Sequence, residues 1–423
     1  MNDALPVFVV LAATAGMVPV ISRNAGREGS LIIPALLVQV LAAIVHVVIV
    51  REYYGYGDML AYWRSGVRLA QGVEVGQVSI GSLLALVFQL DNDLFVSGNG
   101  RSTGSMHGIA GLLCLVFGSS LFAICMAIAV AGFLSRFWMF LALRTVWPTA
   151  TRGLTIAVFW MPSAIFWSAA LLKEGVAMPG LALASGALVR MLHARRPMVS
   201  MLLLTVPGLL AVGVSKPYLL APLALSVAAG AFVRSRSTFS SLPVAVAVVA
   251  GIVLLGAMFP RYAISSVVDS AEEVRSLGAS HAGSSTFSLP SGGLSVLLPL
   301  GVATALFRPL LFEVRSLLLL LSALEMLTIS VVLVRNFGSF GGVWRLLCRN
   351  WMMASSAVFV LVFSVALGLS ATNLGTLARY RAPMMPYYGI LLVGLFETSQ
   401  RRRAALQSGV MKEYFSKAVG SVT

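Results

Sequence analysis

Charged side chains are scarce in this sequence. Only 11% of its 423 residues are Asp, Glu, Lys or Arg, whereas a soluble globular domain carries about a quarter. Hydrophobic residues make up 58%, and the mean hydropathy is +0.92. These values exclude an ordinary soluble domain. They predict an all-α polytopic membrane protein, a bundle of transmembrane helices.

Cysteine and histidine are also rare, and neither forms a metal-binding pattern. The three cysteines have no paired or Cys-x-x-Cys spacing, and the four histidines are scattered. The sequence therefore predicts no disulfide framework, no metal site and no cofactor. These residues are Cys114, Cys125, Cys348, His46, His107, His193 and His281.

Apolar runs long enough to cross a bilayer recur along the chain. At about 20 residues per span, we expect about eleven transmembrane helices, within a range of about 10 to 13. The first run follows neither a basic segment nor a cleavage site, so we interpret it as a retained span. Shorter runs at 82–90, 136–143 and 294–307 are expected to be interfacial or re-entrant. The expected spans are 5–21, 31–50, 110–135, 153–171, 175–192, 199–214, 218–233, 241–260, 316–334, 351–370 and 383–397.

The positions of Lys and Arg predict the orientation of these spans. With the N-terminus outside, 18 of the 30 basic residues, Arg136 among them, lie in one set of short connections and in the tail 401–423. Such connections are typical of the cytoplasmic side. Residues 1–400 then form a single membrane domain, and the basic tail is cytoplasmic. The net charge of +15 is explained by this topology and by anionic lipid headgroups, and we expect no nucleic-acid partner.

Two long outer loops, 51–109 and 261–294, follow from this orientation. The second is either a lid over a bound substrate or a flexible connection. Eleven of the 15 acidic residues fall on the outer side, although acidic residues have little influence on orientation. Only Glu325 lies inside a predicted span. We therefore expect a charged site that faces the outer leaflet.

Four outer turns place a cation at the end of a span, three of them beside a proline. Proline frees backbone groups that are tolerated only in a protein interior or a wet cavity. Arginine in such a cavity suits phosphate, because its guanidinium group pairs oxygens bidentately. The predicted phosphate-binding residues are Lys173, Lys216, Arg308, Arg379 and Arg381, and the predicted supporting residues are Glu313, Arg315 and Tyr380.

Two of these turns also have a simpler interpretation. Lys173 and Glu174 stand together at membrane depth, where ionisable groups mark a functional site or an internal pair. A helix-turn cap with a snorkelling lysine is the alternative. Arg308 and Glu313 are as consistent with a structural ion pair as with a ligand contact.

The first outer loop contains an amphipathic segment, GDMLAYWRSGVRLAQG. After Asp58 its apolar residues recur at helical spacing, and polar residues occupy the other face. This pattern predicts an outer-side amphipathic juxtamembrane helix with Tyr and Trp at headgroup level. Asp58 stands at its start, where a carboxylate can also cap the helix.

A loop aspartate followed by an aromatic-bearing juxtamembrane helix resembles the GT-C superfamily of glycosyltransferases. The stretches PSAIFWSAALLKEG and RYRAPMMP also resemble polytopic proteins of bacterial exopolysaccharide and O-antigen clusters. The resemblance implies a bacterial cytoplasmic-membrane enzyme that uses a polyprenyl-(di)phosphate-linked sugar donor and a glycan or lipid acceptor. It assigns the general base to Asp58, with Glu174 as the other candidate. GT-C enzymes place this loop after the first span, whereas here it follows the second.

Two other functions remain open at this point. A Wzy-type polysaccharide polymerase uses the same class of lipid-linked sugar and depends on outer arginines, but it does not need Asp58. A transporter or flippase is the second alternative, for which charges near the midplane of the membrane would be expected. Other polysaccharide-assembly proteins are possible partners in each case.

Overall fold

The computed structural model describes residues 4–194, 198–235, 294–371 and 373–420, and every regular element in these ranges is helical. The helices are α1 (Ala4–Ala25), α2 (Gly29–Val48), α3 (Asp58–Glu74), α4 (Ile80–Val87), α5 (Ser102–Phe117), α6 (Leu121–Val146), α7 (Thr151–Phe159), α8 (Pro162–Ser168), α9 (Lys173–Ala194), α10 (Met198–Ser215), α11 (Leu220–Ser235), α12 (Leu294–Phe307), α13 (Leu317–Arg335), α14 (Phe340–Arg349), α15 (Trp351–Ser370), α16 (Leu374–Tyr380) and α17 (Met385–Gly420). A π-helical turn, Ile49–Tyr54, extends α2. The all-α prediction is confirmed.

Six of the described helical segments are long and apolar enough to cross a membrane. They are Ala4–Tyr54, Leu121–Val146, Lys173–His193, Pro217–Ser235, Leu317–Arg335 and Trp351–Ser370. The chain is thus of the helical membrane type, but the prediction of about eleven spans is not confirmed. The expected span at 241–260 and most of the expected outer loop at 261–294 lie outside the described residues.

Two of the expected spans are each broken into two helices. The run 110–135 is divided at Gly118, whose φ of +63° ends α5 before α6 begins. The run 153–171 is divided at Pro162, which begins α8. Proline disfavours helical backbone at the preceding residue, so α7 ends before it. An average of hydropathy over a window does not register either break.

Arg136 lies inside α6, and its predicted place in a cytoplasmic connection was wrong. Its side chain is buried, with Nη2 donating to Gln39 Oε1 at 2.5 Å and Nη1 to Val158 O at 3.4 Å. The short run 136–143 is the second half of the 26-residue helix α6. A buried cation is tolerated here because polar groups of neighbouring helices receive its N–H donors.

Helices α9 and α10 pack closely through glycine. A Cβ atom added at Gly180 would lie 2.6 Å from Gly208 O, and one added at Gly208 would lie 2.7 Å from Gly180 O. Small residues at such a crossing let two backbones approach, which is a common way of packing membrane helices. The close crossing brings the start of α9 beside the end of α10, where Glu174 and Lys216 stand.

The bundle has a basic end, defined by exposed arginines near the ends of its helices. Here Trp147 Nε1 donates to Glu397 Oε2 at 3.1 Å, and Arg402 donates to Gly338 O. Helix α17 begins at Met385, shortly after Arg381. Glu397 lies about 18 Å from that start along the helix axis, so the two ends of the bundle are well separated. The same helix continues through the predicted basic tail to Gly420. The exposed arginines of this end include Arg23, Arg152, Arg335, Arg345 and Arg401.

Candidate functional site

Four ionisable residues from separate segments meet at the opposite end of the bundle. Arg379 Nη1 donates to Asp58 Oδ2 at 2.7 Å, and Arg379 Nε donates to Glu174 Oε1 at 3.0 Å. Lys216 Nζ forms an ion pair with Glu174 Oε1 at 2.6 Å. We call Asp58, Glu174, Lys216 and Arg379 the ion network. It joins four of the residues that the sequence analysis selected, with two charges of each sign.

Asp58 is the accessible carboxylate of the ion network. It is the first residue of α3, and its side chain is 52% exposed. The turn before it passes through Gly55 and Gly57, whose φ angles of +70° and +124° are strained for residues with a side chain. This turn directs the carboxylate toward Arg379. The start of a helix also favours a negative charge, because the helix dipole is positive there.

Glu174 is the buried centre of the ion network. It lies in the first turn of α9, and its side chain is 0% exposed. A single oxygen, Oε1, contacts both Lys216 and Arg379. Two cations are therefore needed at this position, since an ionised carboxylate without partners in the interior is very unfavourable.

Gly175 allows α9 to begin close to the preceding segment. A Cβ atom added there would lie 2.2 Å from Ala170 O and 2.9 Å from Ile128 Cγ2. We expect Gly175→Ala to destabilise the protein by about 1–3 kcal/mol, because a backbone oxygen cannot move aside cheaply. The measurement is the apparent melting temperature in detergent. Gly16→Ala is the matched control, since an added Cβ meets nothing within 4 Å there, and an equal melting temperature for both variants would contradict this account.

Lys216 is held by aromatic as well as acidic partners. It follows α10, and its backbone N–H donates to Val212 O at 2.7 Å. Its Nζ lies 4.0 Å from the ring centroid of Tyr380, which is a cation–π contact. With only 2% of its side chain exposed, Lys216 stabilises Glu174 from the protein interior.

Arg379 connects the buried and exposed parts of the ion network. It lies in the last turn of the short helix α16, and its side chain is 17% exposed. Burial acts to lower the pKa of Arg379, but the carboxylates of Glu174 and Asp58 outweigh it and raise that pKa. Tyr380 beside it remains protonated, because burial raises its pKa to about 12. A permanent cation is thus fixed where the protein interior meets the surface.

A groove of about 330 Å³ opens beside Arg379. Its lining combines two cations, two aromatic rings, polar side chains and leucines. Such a mixture suits an amphipathic anion, with charge-assisted hydrogen bonds for the anionic group and stacking or apolar contact for the remainder. The lining includes Arg315, Arg379, Tyr54, Trp167, Ser316, Asn373, Thr376, Leu318 and Leu319.

Arg381 lies away from the ion network, although it is only two residues from Arg379. Its side chain is fully buried, and its Nη1 donates to Ala305 O at 3.1 Å and to Arg308 O at 2.5 Å. Its Nη2 donates to Ser322 Oγ at 2.6 Å. In this arrangement Arg381 ties α12 and α13 to the start of α17, and a ligand would need to displace protein groups to reach it.

Arg308 and Glu313 form an ion pair next to Arg381. Arg308 donates to both carboxylate oxygens of Glu313, and Leu310 N–H donates to Oε2 at 2.8 Å. Partial burial acts to raise the pKa of Glu313, but these hydrogen bonds outweigh it and hold that pKa below its usual range. This is the geometry of the structural ion pair that the sequence left as an alternative.

Lys173 is directed away from its neighbour Glu174. Its Nζ donates to Ser102 Oγ at 2.9 Å and to Thr103 Oγ1 at 3.0 Å, so it joins the start of α9 to the start of α5. The groove residues Trp167 and Asn373 carry no signal in the sequence that marks them as site residues. They come from an apolar run and from the residue before a short helix, and only folding brings them beside Arg379.

Comparison with known proteins provides no relative for this chain: no family model matches it, and neither does any curated protein or solved structure. The resemblance to the GT-C superfamily therefore remains an expectation from short motifs.

Proposed function

We propose that this protein is a membrane-embedded glycosyltransferase that takes a sugar from a polyprenyl-(di)phosphate carrier at the outer face of the bacterial cytoplasmic membrane. The acceptor belongs to a cell-surface polysaccharide or glycolipid. One observation carries the proposal: an accessible carboxylate, Asp58, is bonded directly to a fixed guanidinium group, Arg379, at the edge of an amphipathic groove.

The groove supplies the contacts that the lipid-linked donor needs. Arg315 and Arg379 bind the donor phosphate, since guanidinium groups match phosphate oxygens and remain charged. Nε and Nη1 of Arg379 are engaged in the ion network, and Nη2 supplies two further N–H donors. Trp167 offers an aromatic face for the sugar. The leucines of the groove accept the first carbons of the lipid chain.

The contact between Asp58 and Arg379 couples donor binding to the generation of a base. The incoming phosphate competes with Asp58 for Arg379 and releases the carboxylate. Asp58 then removes the proton of the acceptor hydroxyl as its oxygen bonds to the anomeric carbon. The bond from that carbon to the phosphate oxygen breaks, and its electron pair remains on the phosphate. Arg379 and Arg315 stabilise this developing charge, which is usually the largest contribution in such transfers.

Glu174 and Lys216 act through Arg379 and do not contact the substrate. Both side chains are buried, so of the two predicted bases Asp58 is the one that a hydroxyl can reach. Glu174 fixes Arg379 at Nε, and Lys216 pairs with the same carboxylate oxygen and stabilises its charge in the interior. They are positioning residues for the cation that meets the phosphate.

The test of the proposal is transfer by the purified protein in proteoliposomes. Labelled polyprenyl monophosphate and diphosphate sugars are supplied with envelope glycolipid as the acceptor, and release of the lipid phosphate is measured. We expect Arg315→Gln to raise the donor KM roughly 10- to 100-fold, the value of one charge-assisted hydrogen bond. Its effect on kcat is expected to be smaller.

Arg152→Gln serves as the control, because Arg152 is exposed on α7 at the basic end of the bundle. The proposal is wrong if no polyprenyl-linked sugar is consumed by the wild-type protein. An unchanged donor KM in Arg315→Gln would remove Arg315 from the phosphate site.

A Wzy-type polymerase is the second candidate, because the same arginines at the groove suit a lipid diphosphate. The polymerase differs from the glycosyltransferase because its activity does not need Asp58. Transport would draw on charges inside the spans, and in the described part of the chain Arg136 and Glu325 are buried at such positions. The cavity that Arg136 lines is about 10 Å³. That volume holds about one water molecule, so the packing there is not that of a substrate pathway.

A further inference from the structure

A second cavity lies at the basic end of the bundle, far from the ion network. It has a volume of about 540 Å³, within the range of ligand sites. Its lining comes from the turn before α14, from α14 itself and from α17. The lining residues are Gly338, Ser339, Gly341, Gly342, Arg345, Thr398, Arg401 and Arg402.

Three guanidinium groups give this cavity a strong positive charge. Arg345 comes from α14, and Arg401 and Arg402 come from consecutive positions of α17. Arg402 also donates to Gly338 O. The Glu397 carboxylate, which pairs with one of these arginines, lies 3.6 Å from Arg401 and accepts a hydrogen bond from Trp147 Nε1. One acid against three arginines leaves the cavity cationic.

Glycine keeps the cavity open on the side of α14. A Cβ atom added at Gly341 would meet nothing within 4 Å, so the space beside this residue is empty. By contrast, a Cβ atom at Gly342 would lie 2.3 Å from Thr398 Cγ2, which marks the close contact of α14 with α17. The cavity is therefore bounded by packed helices on one side and is open on the other.

Helix α14 and the turn before it also carry an exposed aromatic face. Phe337 is 74% exposed, Trp344 is 69% exposed and Phe340 is 44% exposed. Their spacing of three and four residues places them on one face, next to Arg345. An amphipathic helix with aromatic and basic residues is typical of a segment that lies in the lipid headgroup region.

We infer that this cavity binds the phosphate headgroup of an anionic membrane lipid. The guanidinium groups pair with the phosphate oxygens, and the aromatic face of α14 lies among the acyl chains beside it. A lipid is the occupant that both features fit, because a soluble phosphate would use the arginines and leave the aromatic face without a role. The inference is independent of the glycosyltransferase proposal, since it concerns the opposite end of the bundle.

The test counts the lipids that the full-length protein retains in native mass spectrometry. Purified protein is titrated with phosphatidylglycerol or with phosphatidylcholine. We expect one phosphatidylglycerol to bind more tightly than the rest, and phosphatidylcholine not to replace it. At roughly fivefold per arginine, Arg345→Gln with Arg401→Gln is expected to weaken this binding about 25-fold.

A second variant separates a built site from general attraction of basic residues to anionic lipid. Gly341→Leu places an apolar side chain in the cavity beside the arginines, keeps every charge and favours the helix. We expect it to abolish tight binding of phosphatidylglycerol. Arg23→Gln removes one exposed charge from the same end without touching the cavity, and we expect it to have no effect.

Two results would overturn the inference. If Gly341→Leu retains phosphatidylglycerol as the wild type does, the attraction is diffuse and the cavity holds no headgroup. If inorganic phosphate or glycerol phosphate at millimolar concentration displaces the bound lipid completely, the cavity is a site for a soluble anion. Tight binding that is lost in Gly341→Leu and resists both competitors supports a lipid site.

Discussion

Glu174→Gln is expected to destabilise the protein by about 3–5 kcal/mol. The Glu174 carboxylate pairs with both Lys216 and Arg379. The side chain of Lys216 is only 2% exposed, and its Nζ lies 2.6 Å from Glu174 Oε1. Removing one partner of a buried pair leaves the other charge in the interior without compensation. The charge of Arg379 remains compensated in this variant, because Arg379 keeps its ion pair with Asp58. The measurement is the free energy of unfolding in mixed micelles, or the apparent melting temperature where unfolding is irreversible.

A double variant tests the physical cause of this loss. Glu174→Gln combined with Lys216→Met removes both charges, so we expect it to be more stable than Glu174→Gln alone. The coupling energy of neighbouring charges is commonly about 0.5–3 kcal/mol. Glu52→Gln is the control, because Glu52 and its partner Arg51 are both exposed. It is expected to cost less than about 1 kcal/mol.

The opposite result has an equally clear meaning. If Glu174→Gln unfolds like the wild type, the carboxylate is not the stabilising partner of Lys216. If the double variant is as unstable as the sum of the single variants, the two side chains act independently.

The convergence of these charged turns was predictable from the sequence. Lys216 and Arg379 stand at the ends of apolar runs beside proline, and Glu174 interrupts such a run, so burial forces each of them to find a partner. The partners themselves were not predictable. Asp58 and Arg379 are 321 residues apart, and only the packing of the bundle decides which charges meet.

The different roles of residues that are close together in the chain were also not predictable from the sequence. Lys173 and Glu174 are neighbours, yet one donates to α5 and the other is buried in the ion network. Arg379 and Arg381 differ in the same way. Successive helical residues point in different directions, so a turn rich in charge supplies several sites rather than one. A short motif gives the residue types of a site and not their directions.

Arginine at position 379 follows from the geometry of the ion network. One side chain contacts two carboxylates, through Nε and through Nη1, and also lines the groove. Only a guanidinium group has donors on several sides of one plane, whereas the lysine ammonium group is a single point. The ion network therefore fixes the direction of this cation as well as its charge.

Asp58→Asn is expected to lower the kcat of glycosyl transfer about 10²- to 10⁴-fold, the usual contribution of a general base. Asparagine keeps the size of the side chain but cannot accept the proton of the acceptor hydroxyl. Donor binding should be maintained or tightened, because an uncharged amide competes less well than a carboxylate for Arg379. The measurement is kcat and donor KM in proteoliposomes, with the dependence of kcat on pH.

Glu74→Gln is the control for the expected loss of kcat in Asp58→Asn. Glu74 is an exposed carboxylate at the other end of the same helix, α3, so its removal changes the charge of this helix without touching the ion network. If both variants transfer at the wild-type rate while Arg379→Ala leaves undecaprenyl-linked repeat units to accumulate in cells, the protein is a polymerase. A selective loss of kcat in Asp58→Asn, with donor KM maintained, identifies Asp58 as the base. In that case the ion network also controls when the base is free. Arg379 binds Asp58 in the absence of donor, and the donor phosphate must replace Asp58 at Arg379 before the carboxylate can act.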